Sequence, residues 1–483
     1  MKLPMIIQGG MGVAISDWRL ARAVSMQGHL GVVSGTGIAR VLTARLMDGD
    51  LNGDMRRALA AFPFQEPVQK ILETFYVEGG KKPNQPYKNV PPYAIKPLRS
   101  LDILTVISNF VEVYLAKEGH SGIVGINLLE KVQMPNLASL YGAMLAGVDY
   151  VLMGAGIPTQ IAGALDKFAN HESASYRLDV TGATAEDDFR IHLHPKELFP
   201  NIDEVVGPLH RPAFFPIISS VVLAQALIKR SEGSIEGFII EGPIAGGHNA
   251  PPRGNVKYNE RGEPIYTEKD SVDLEKIKAL GLPFWLAGGF GHPHQLVEAL
   301  EKGAAGIQVG TAFAYCNESG MEKSVKEAIL LKVRNEDIDV YTSALASPTG
   351  FPFKVVDLDG SLTDLEIYAS RGRICDMGFL RTLYKRPDGK IGYRCPAEPV
   401  DDYVRKGGLE EETENRVCLC NALGASAGFA QYRTKSDFTE KPIVTSGNDL
   451  VNLGHLLPED SIHYSAEHVI AYLMRDVPVP TLG

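Results

Sequence analysis

Short apolar runs stopped by glycine alternate along this chain with stretches whose apolar positions recur at helical spacing. MIIQ (residues 5–8) is the first run, ended by Gly9 and Gly10. Residues 17–27 then read as a helix, with Ser16 as the expected cap and Leu20, Ala23 and Val24 on one face. LGVVSG (30–35), IVGINLL (123–129) and VDYVLMG (148–154) are the next three strands. FFPIISSV (214–221), GFIIEG (237–242), PFWLAGG (283–289) and AGIQVG (305–310) complete a set of eight. Between them, residues 135–146 and 222–229 carry helical spacing, with Leu137, Leu140 and Met144 placed for burial.

Strands buried on both faces read as continuous apolar runs, not as alternating ones. Eight of them with helical intervals predict an α/β fold, a (β/α)8 TIM barrel with insertions and a C-terminal extension. An open doubly wound sheet is the alternative. Glycine turns after strands one, two, six, seven and eight favour a ring of loops round one mouth. Three segments exceed what a barrel needs. Residues 63–101, rich in Pro, Lys and Tyr, are expected to cover the mouth or an edge. Residues 172–212 contain YRLDV and FRIHLH, which predict a small hairpin; alternate His192 and His194 would share its face, and with His210 they read as solvated. The expected organisation is a barrel over 1–340, carrying insertions near 63–101 and 172–212, and an extension over 341–483 that packs on it.

Composition narrows the class. The chain has 483 residues, 45% of them hydrophobic, and a formal net charge of −10. That balance argues against nucleic acid as a partner. No apolar run approaches the roughly 20 residues that cross a bilayer, and the N-terminal stretch does not read as a signal peptide. Five cysteines are too few, in a chain this long, for a disulfide scaffold. A reducing cytoplasm, a small-molecule substrate and no membrane partner are the expectations, with homo-oligomerisation left open.

The densest chemistry lies in EGPIAGGHNAPPRG (241–254), directly after strand six. Gly246 and Gly247 let the backbone come close to a ligand, and His248 emerges beside them as a residue able to move a proton near neutral pH. LAGGFG (286–291) and QVGTAF (308–313) follow strands seven and eight, where barrels frequently bind phosphate. Three such turns suggest a phosphorylated cofactor and a proton-transfer residue in one site.

Taken in order, PMIIQGGMG, GINL, EGPIAGGH, LAGGFG and QVGTAF resemble the nitronate monooxygenase family, formerly 2-nitropropane dioxygenases. FMN-dependent enoyl-acyl-carrier-protein reductases share that superfamily. The resemblance covers roughly residues 5–353 and implies FMN held at the barrel mouth. It implies that Gly9, Gly10 and Met11 pass close to the flavin ring, that Asn127 bonds it, and that Glu241, Gly246 and Gly247 lie beside it. Gly288, Gly289, Gln308, Val309, Gly310 and Thr311 would cradle the phosphate. His248 would be catalytic, and the reaction would be oxidation of alkyl nitronates or nitroalkanes by dioxygen. Glu241 stands where the monooxygenases commonly carry glutamine and the flavin-type reductases glutamate. The alternative is therefore an NAD(P)H-dependent enoyl-thioester reductase of fatty-acid or polyketide biosynthesis. A non-catalytic flavin- or metal-binding partner of a larger assembly is a third reading, motivated by the extension.

Four of the five cysteines, Cys375, Cys395, Cys418 and Cys420, fall in the extension. Zinc sites usually show two pairs separated by about two to four residues. Only Cys418-x-Cys420 is close, so no metal is expected. Cys316 is expected to pack in the barrel.

Overall fold

The computed structural model describes residues 3–478. Residues 1–2 and 479–483, the outermost parts of the two expected units, lie outside that range. Eight parallel strands form one sheet: β1 (Ile6–Gln8), β2 (Gly31–Ser34), β3 (Val124–Leu129), β4 (Tyr150–Gly154), β5 (Ala213–Ile218), β6 (Phe238–Glu241), β7 (Phe284–Ala287) and β8 (Gly306–Val309). β8 returns to pair with β1, Ile7 opposite Gln308. Between β1 and β2 the Gln8 N–H donates to the Leu30 carbonyl at 2.9 Å and the Leu30 N–H to the Ile6 carbonyl at 3.1 Å. Those two bonds close the TIM barrel, and every expected strand is in it.

Successive side chains of a strand point to opposite faces. Ile7, Val32, Tyr150, Leu152, Phe215, Ile239 and Trp285 therefore share the barrel interior. Their neighbours Ile6, Phe238, Ile240, Leu286 and Ile307 face the helices outside. Trp285 stacks on Phe215 with ring centroids 4.6 Å apart, and its indole N–H donates to the Pro4 carbonyl at 2.7 Å. The interior is thus filled towards the end remote from the mouth.

The first helix, Trp18–Met26, is capped by Asp17, not Ser16: the Asp17 carboxylate accepts from the N–H groups of Arg19 and Leu20. Ser16 is already spent on the preceding turn. Its Oγ accepts from the Met11 N–H at 2.8 Å and donates to the Gly9 carbonyl at 2.9 Å.

The segment 63–101 packs on the loop that follows β2: Val90, Pro91, Pro92 and Tyr93 share a small pocket with Gly35, Gly37 and Ile38. It holds the helix Gln65–Phe75, and its Tyr87 N–H donates to Gln431 Oε1 at 2.8 Å. The expected hairpin forms between Ala174–Arg177 and Arg190–Leu193, with the His192 and His194 rings 5.9 Å apart on one side. Beyond it, Val180–Thr181 adds a parallel strand to Thr382–Lys385 of the C-terminal segment. That segment wraps back over the barrel, and its helix Ala466–Met474 packs against Trp18–Met26. Among the described residues no helix is long and apolar enough to cross a membrane.

Candidate active site

The inward phase of the strands brings polar residues to the carboxyl ends. Ile7, Gln308, Ala287 and Glu241 lie in register across β1, β8, β7 and β6. Asn127 holds the matching position on β3, opposite Ser34 and Leu152. Below this layer is packed core; above it is a cavity of about 270 Å³. Gly9, Gly10, Met11, Asn127, Glu241, Gly246, Gly247, His248, Gly288, Gly289, Gln308, Val309, Gly310 and Thr311 all line it. Every candidate site residue read from the sequence is therefore in one place.

The first loop is fixed from beneath. The Gln8 amide accepts from the Val32 N–H at 2.9 Å and donates to Ser16 Oγ at 2.8 Å. Ser16 in turn clamps Gly9 and Met11. A Cβ on Gly10 would lie 2.2 Å from the Asn127 Cβ, so only glycine lets this backbone cross the asparagine. Gly288 and Gly289 both have φ of +83°, a region that favours glycine.

The turn after β6 is braced by the C-terminal segment. The Gly247 N–H donates to Thr445 Oγ1 at 2.8 Å, and the Gly447 N–H to Thr311 Oγ1 at 3.0 Å. A Cβ on Gly246 would meet the Ser446 carbonyl carbon at 2.8 Å. Thr445, Ser446, Gly447, Phe379, Leu380 and Cys420 all line the cavity, and sequence reasoning missed each of them. One signal was available: PIVTSGND (442–449) is another apolar run ended by glycine.

His248 pairs through its backbone with Phe353 and lays its ring against that phenyl at 4.9 Å. Its Nε2 is 2.6 Å from Ser347 Oγ, which is itself 2.8 Å from Thr349 Oγ1. Burial, and then the nearby Lys131 ammonium, press the imidazole down to about 3. It is therefore neutral at any physiological pH and a weak base, in contrast to the near-neutral proton carrier expected. Burial pushes the Glu241 carboxyl the other way, up to about 7. Among the described residues no lysine or arginine lines this cavity.

A second cavity of about 330 Å³ meets the first at Glu241 and His248. Lys131 lies in its wall, and sequence reasoning passed over it although it follows GINL closely. Its Nζ is buried with no hydrogen-bond partner and stands 2.7 Å from the Phe351 ring centre; burial lowers it to about 7. Its neighbour Glu130 is engaged elsewhere, accepting from the Tyr176 hydroxyl at 2.6 Å.

Residues 203–347, from just before β5 to past β8, match the family model described as nitronate monooxygenase. Over that stretch the chain is similar to the nitronate monooxygenase family. The family is one of flavin-dependent oxidoreductases. A Rhodococcus jostii (strain RHA1) protein named (3aS,4S,5R,7aS)-5-hydroxy-7a-methyl-1-oxo-octahydro-1H-indene-4-carboxyl-CoA dehydrogenase is 26% identical over 191 residues, 40% of this chain and 46% of that protein. A probable nitronate monooxygenase of Staphylococcus haemolyticus (strain JCSC1435) is 26% identical over 146 residues, 30% of this chain and 39% of that protein. The matched stretch thus spans less than half the length of either relative. Among solved structures, FabK from Thermotoga maritima is 15% identical, with a TM-score of 0.45 over 98% of this chain and 92% of that one.

Proposed function

We propose that the chain is an FMN-dependent oxidoreductase that oxidises alkyl nitronates with dioxygen. One observation carries the reading: the carboxyl ends of β1, β3, β6, β7 and β8 deliver all fourteen candidate residues, His248 among them, to a single cavity. The lining suits a flavin phosphate ester. Gln308 Oε1 is buried without a partner, an acceptor that a flavin ring N–H or a ribityl hydroxyl would satisfy. A Cβ on Gly310 would meet nothing nearer than the Met11 sulfur at 3.6 Å, so this glycine leaves ligand space open. Main-chain N–H groups and the Thr311 hydroxyl can hold phosphate without a lysine.

In this reading Gly9, Gly10 and Met11 run along the flavin ring, with Asn127 and Glu241 as its polar contacts. Gly288, Gly289, Gln308, Val309, Gly310 and Thr311 form the phosphate end, and Gly246 and Gly247 leave room beside the ring. Bound FMN would supply the electron chemistry; the protein supplies position and charge. Neutral His248 orients the substrate through hydrogen bonds, and the Lys131 ammonium behind it favours an anion. Both features suit a nitronate, already deprotonated, better than a neutral nitroalkane that needs a strong base. The barrel of 1–340 and the extension of 341–483 then act together, the extension roofing the site.

A second reading, an NAD(P)H-dependent enoyl-thioester reductase, is favoured by Glu241 and by the adjoining cavity, which offers room for a longer substrate. The Rhodococcus relative's name, a carboxyl-CoA dehydrogenase, points the same way. Anaerobic mixing of the purified flavoprotein with ethyl nitronate, NADH and NADPH in separate runs decides between them. Bleaching by the nitronate alone supports the first reading. Bleaching by a nicotinamide alone replaces it with the second.

A further inference from the structure

The four cysteines of the extension are far apart in sequence and together in space. Cys375, Cys395, Cys418 and Cys420 line one small cavity, walled otherwise by apolar residues such as Met377, Leu380 and Leu419. Cys395 and Cys418 are buried and pack with Ala397, and Cys375 and Cys420 close the cluster. The fifth cysteine, Cys316, lies in the barrel core and donates to the Phe313 carbonyl.

The polar groups round these sulfurs include N–H donors as well as the Glu398 and Asp376 carboxylates near Cys375. The Ala397 N–H is directed at Cys395, two residues on in the chain. The N–H groups of Phe379 and Leu380 are directed at Cys420. The Asn421 side-chain amide donates to Cys418 Sγ at 3.5 Å, and the Asn421 N–H adds a second contact. Cys375 takes its hydrogen bond from the Cys395 thiol, and Arg381 lies near it; Arg371 lies near Cys418. A neutral thiol is a weak donor that needs no such shell. The Cys375 contact and burial raise the Cys395 thiol, and burial raises those of Cys418 and Cys420, so thiolates there require a bound cation, which the N–H groups directed at the sulfurs would then support.

We propose that Cys375, Cys395, Cys418 and Cys420 are the four ligands of a thiolate-bound metal centre, one that zinc or an iron–sulfur cluster would fill. Four thiolates suit either, and N–H groups directed at the sulfurs are the outer layer that such centres use. Spacing along the chain argued against a metal because it shows only one close pair; folding supplies the other two ligands. Among the described residues no three such side chains already form a single-ion cage. Metal binding is therefore expected to draw the sulfurs inward and to couple to the folding of the loops that carry them. Leu380, Leu419 and Cys420 also line the cavity at the barrel mouth, so the centre would share a wall with the flavin site.

The test is metal and acid-labile sulfide analysis of the full chain, purified under nitrogen without chelator. Samples incubated with zinc, or with iron and sulfide, are measured beside it. Close to one centre per chain is expected: iron with sulfide identifies a cluster, and zinc without sulfide identifies a single-ion site. C395S and C418S should lose it, and C316S should keep it. If the first two variants do not fold, titration of the wild-type protein with an organomercurial should release the metal as the four thiols react. A wild-type chain that takes up neither metal in stoichiometric amount, or a metal content unchanged in C395S and C418S, overturns the proposal. Flavin content is read on the same samples and is independent of that outcome.

Discussion

Replacing Glu241 with glutamine should make the apoprotein more stable at alkaline pH and leave it unchanged at acid pH. Burial raises this carboxyl from 4.5 to about 7. The native state therefore binds a proton that the unfolded chain releases between those two values. Stability from this group is fully present below pH 4.5 and is lost as pH rises through 7. Each pKa unit is worth about 1.36 kcal/mol, so the shift corresponds to about 3 kcal/mol. Glu241 keeps some surface open to the cavity, and water there lowers the figure, so this is a ceiling. Unfolding entropy of about 2.1 cal/mol/K per residue, summed over 483 residues, converts it to about 3 °C in Tm. Glutamine mimics the protonated acid and does not titrate. Thermal or urea unfolding of both apoproteins from pH 4.5 to 8.5 should give curves that agree at the acid end and diverge through pH 7. Other raised carboxyls, such as Asp102, affect both proteins alike and cancel in the difference. Parallel curves across the whole range would show that Glu241 is solvated and ionised in the folded chain.

Gly310→Val should fold normally yet lose FMN, because φ at this residue is −106° and the added side chain enters open cavity; retained flavin absorbance after gel filtration would refute the phosphate assignment. Histidine-selective NMR should show no His248 resonance titrating between pH 5 and 8, since burial and Lys131 hold it near 3; an inflection near 6.5, absent in His248→Ala, would restore the general-base role. Ser16→Ala should cost about 1–3 kcal/mol in urea unfolding, since it strips bonds from Gln8, Met11 and Gly9 in a buried turn; a loss under ~0.5 kcal/mol, the ordinary surface value, would show the clamp to be idle.

The barrel was legible because its strands are buried on both faces: runs such as VDYVLMG and AGIQVG have no competing helical period, and glycine ends them. The site was legible for a related reason. Close backbone approach demands glycine, and glycine is visible in sequence, as at Gly10 against Asn127. What stayed hidden was long-range. Ser16 looked like a cap because nothing local shows that Gln8 and Met11 claim it first. The role of residues 445–447 depends on a chain reversal across more than a hundred positions from Thr311. The proton affinity of His248 is set by Lys131 and by burial under Phe353, neither of which a single-strand motif contains.

The roof of the mouth comes late in the chain, and that imposes an order on synthesis. The last barrel strand ends at Val309, whereas the residues that bond Gly247 and Thr311 are Thr445 and Gly447. At roughly 5–20 residues per second, a ribosome takes on the order of ten seconds to cover that interval. A nascent barrel can thus be complete while its mouth is still bare, so a prosthetic group can enter by an open face that the finished protein later covers. Loading during translation and loading of the finished protein then become different events with different rates, and for the proposed flavin the yield of coloured protein from cells becomes a matter of how much flavin is present while the last third of the chain is being made.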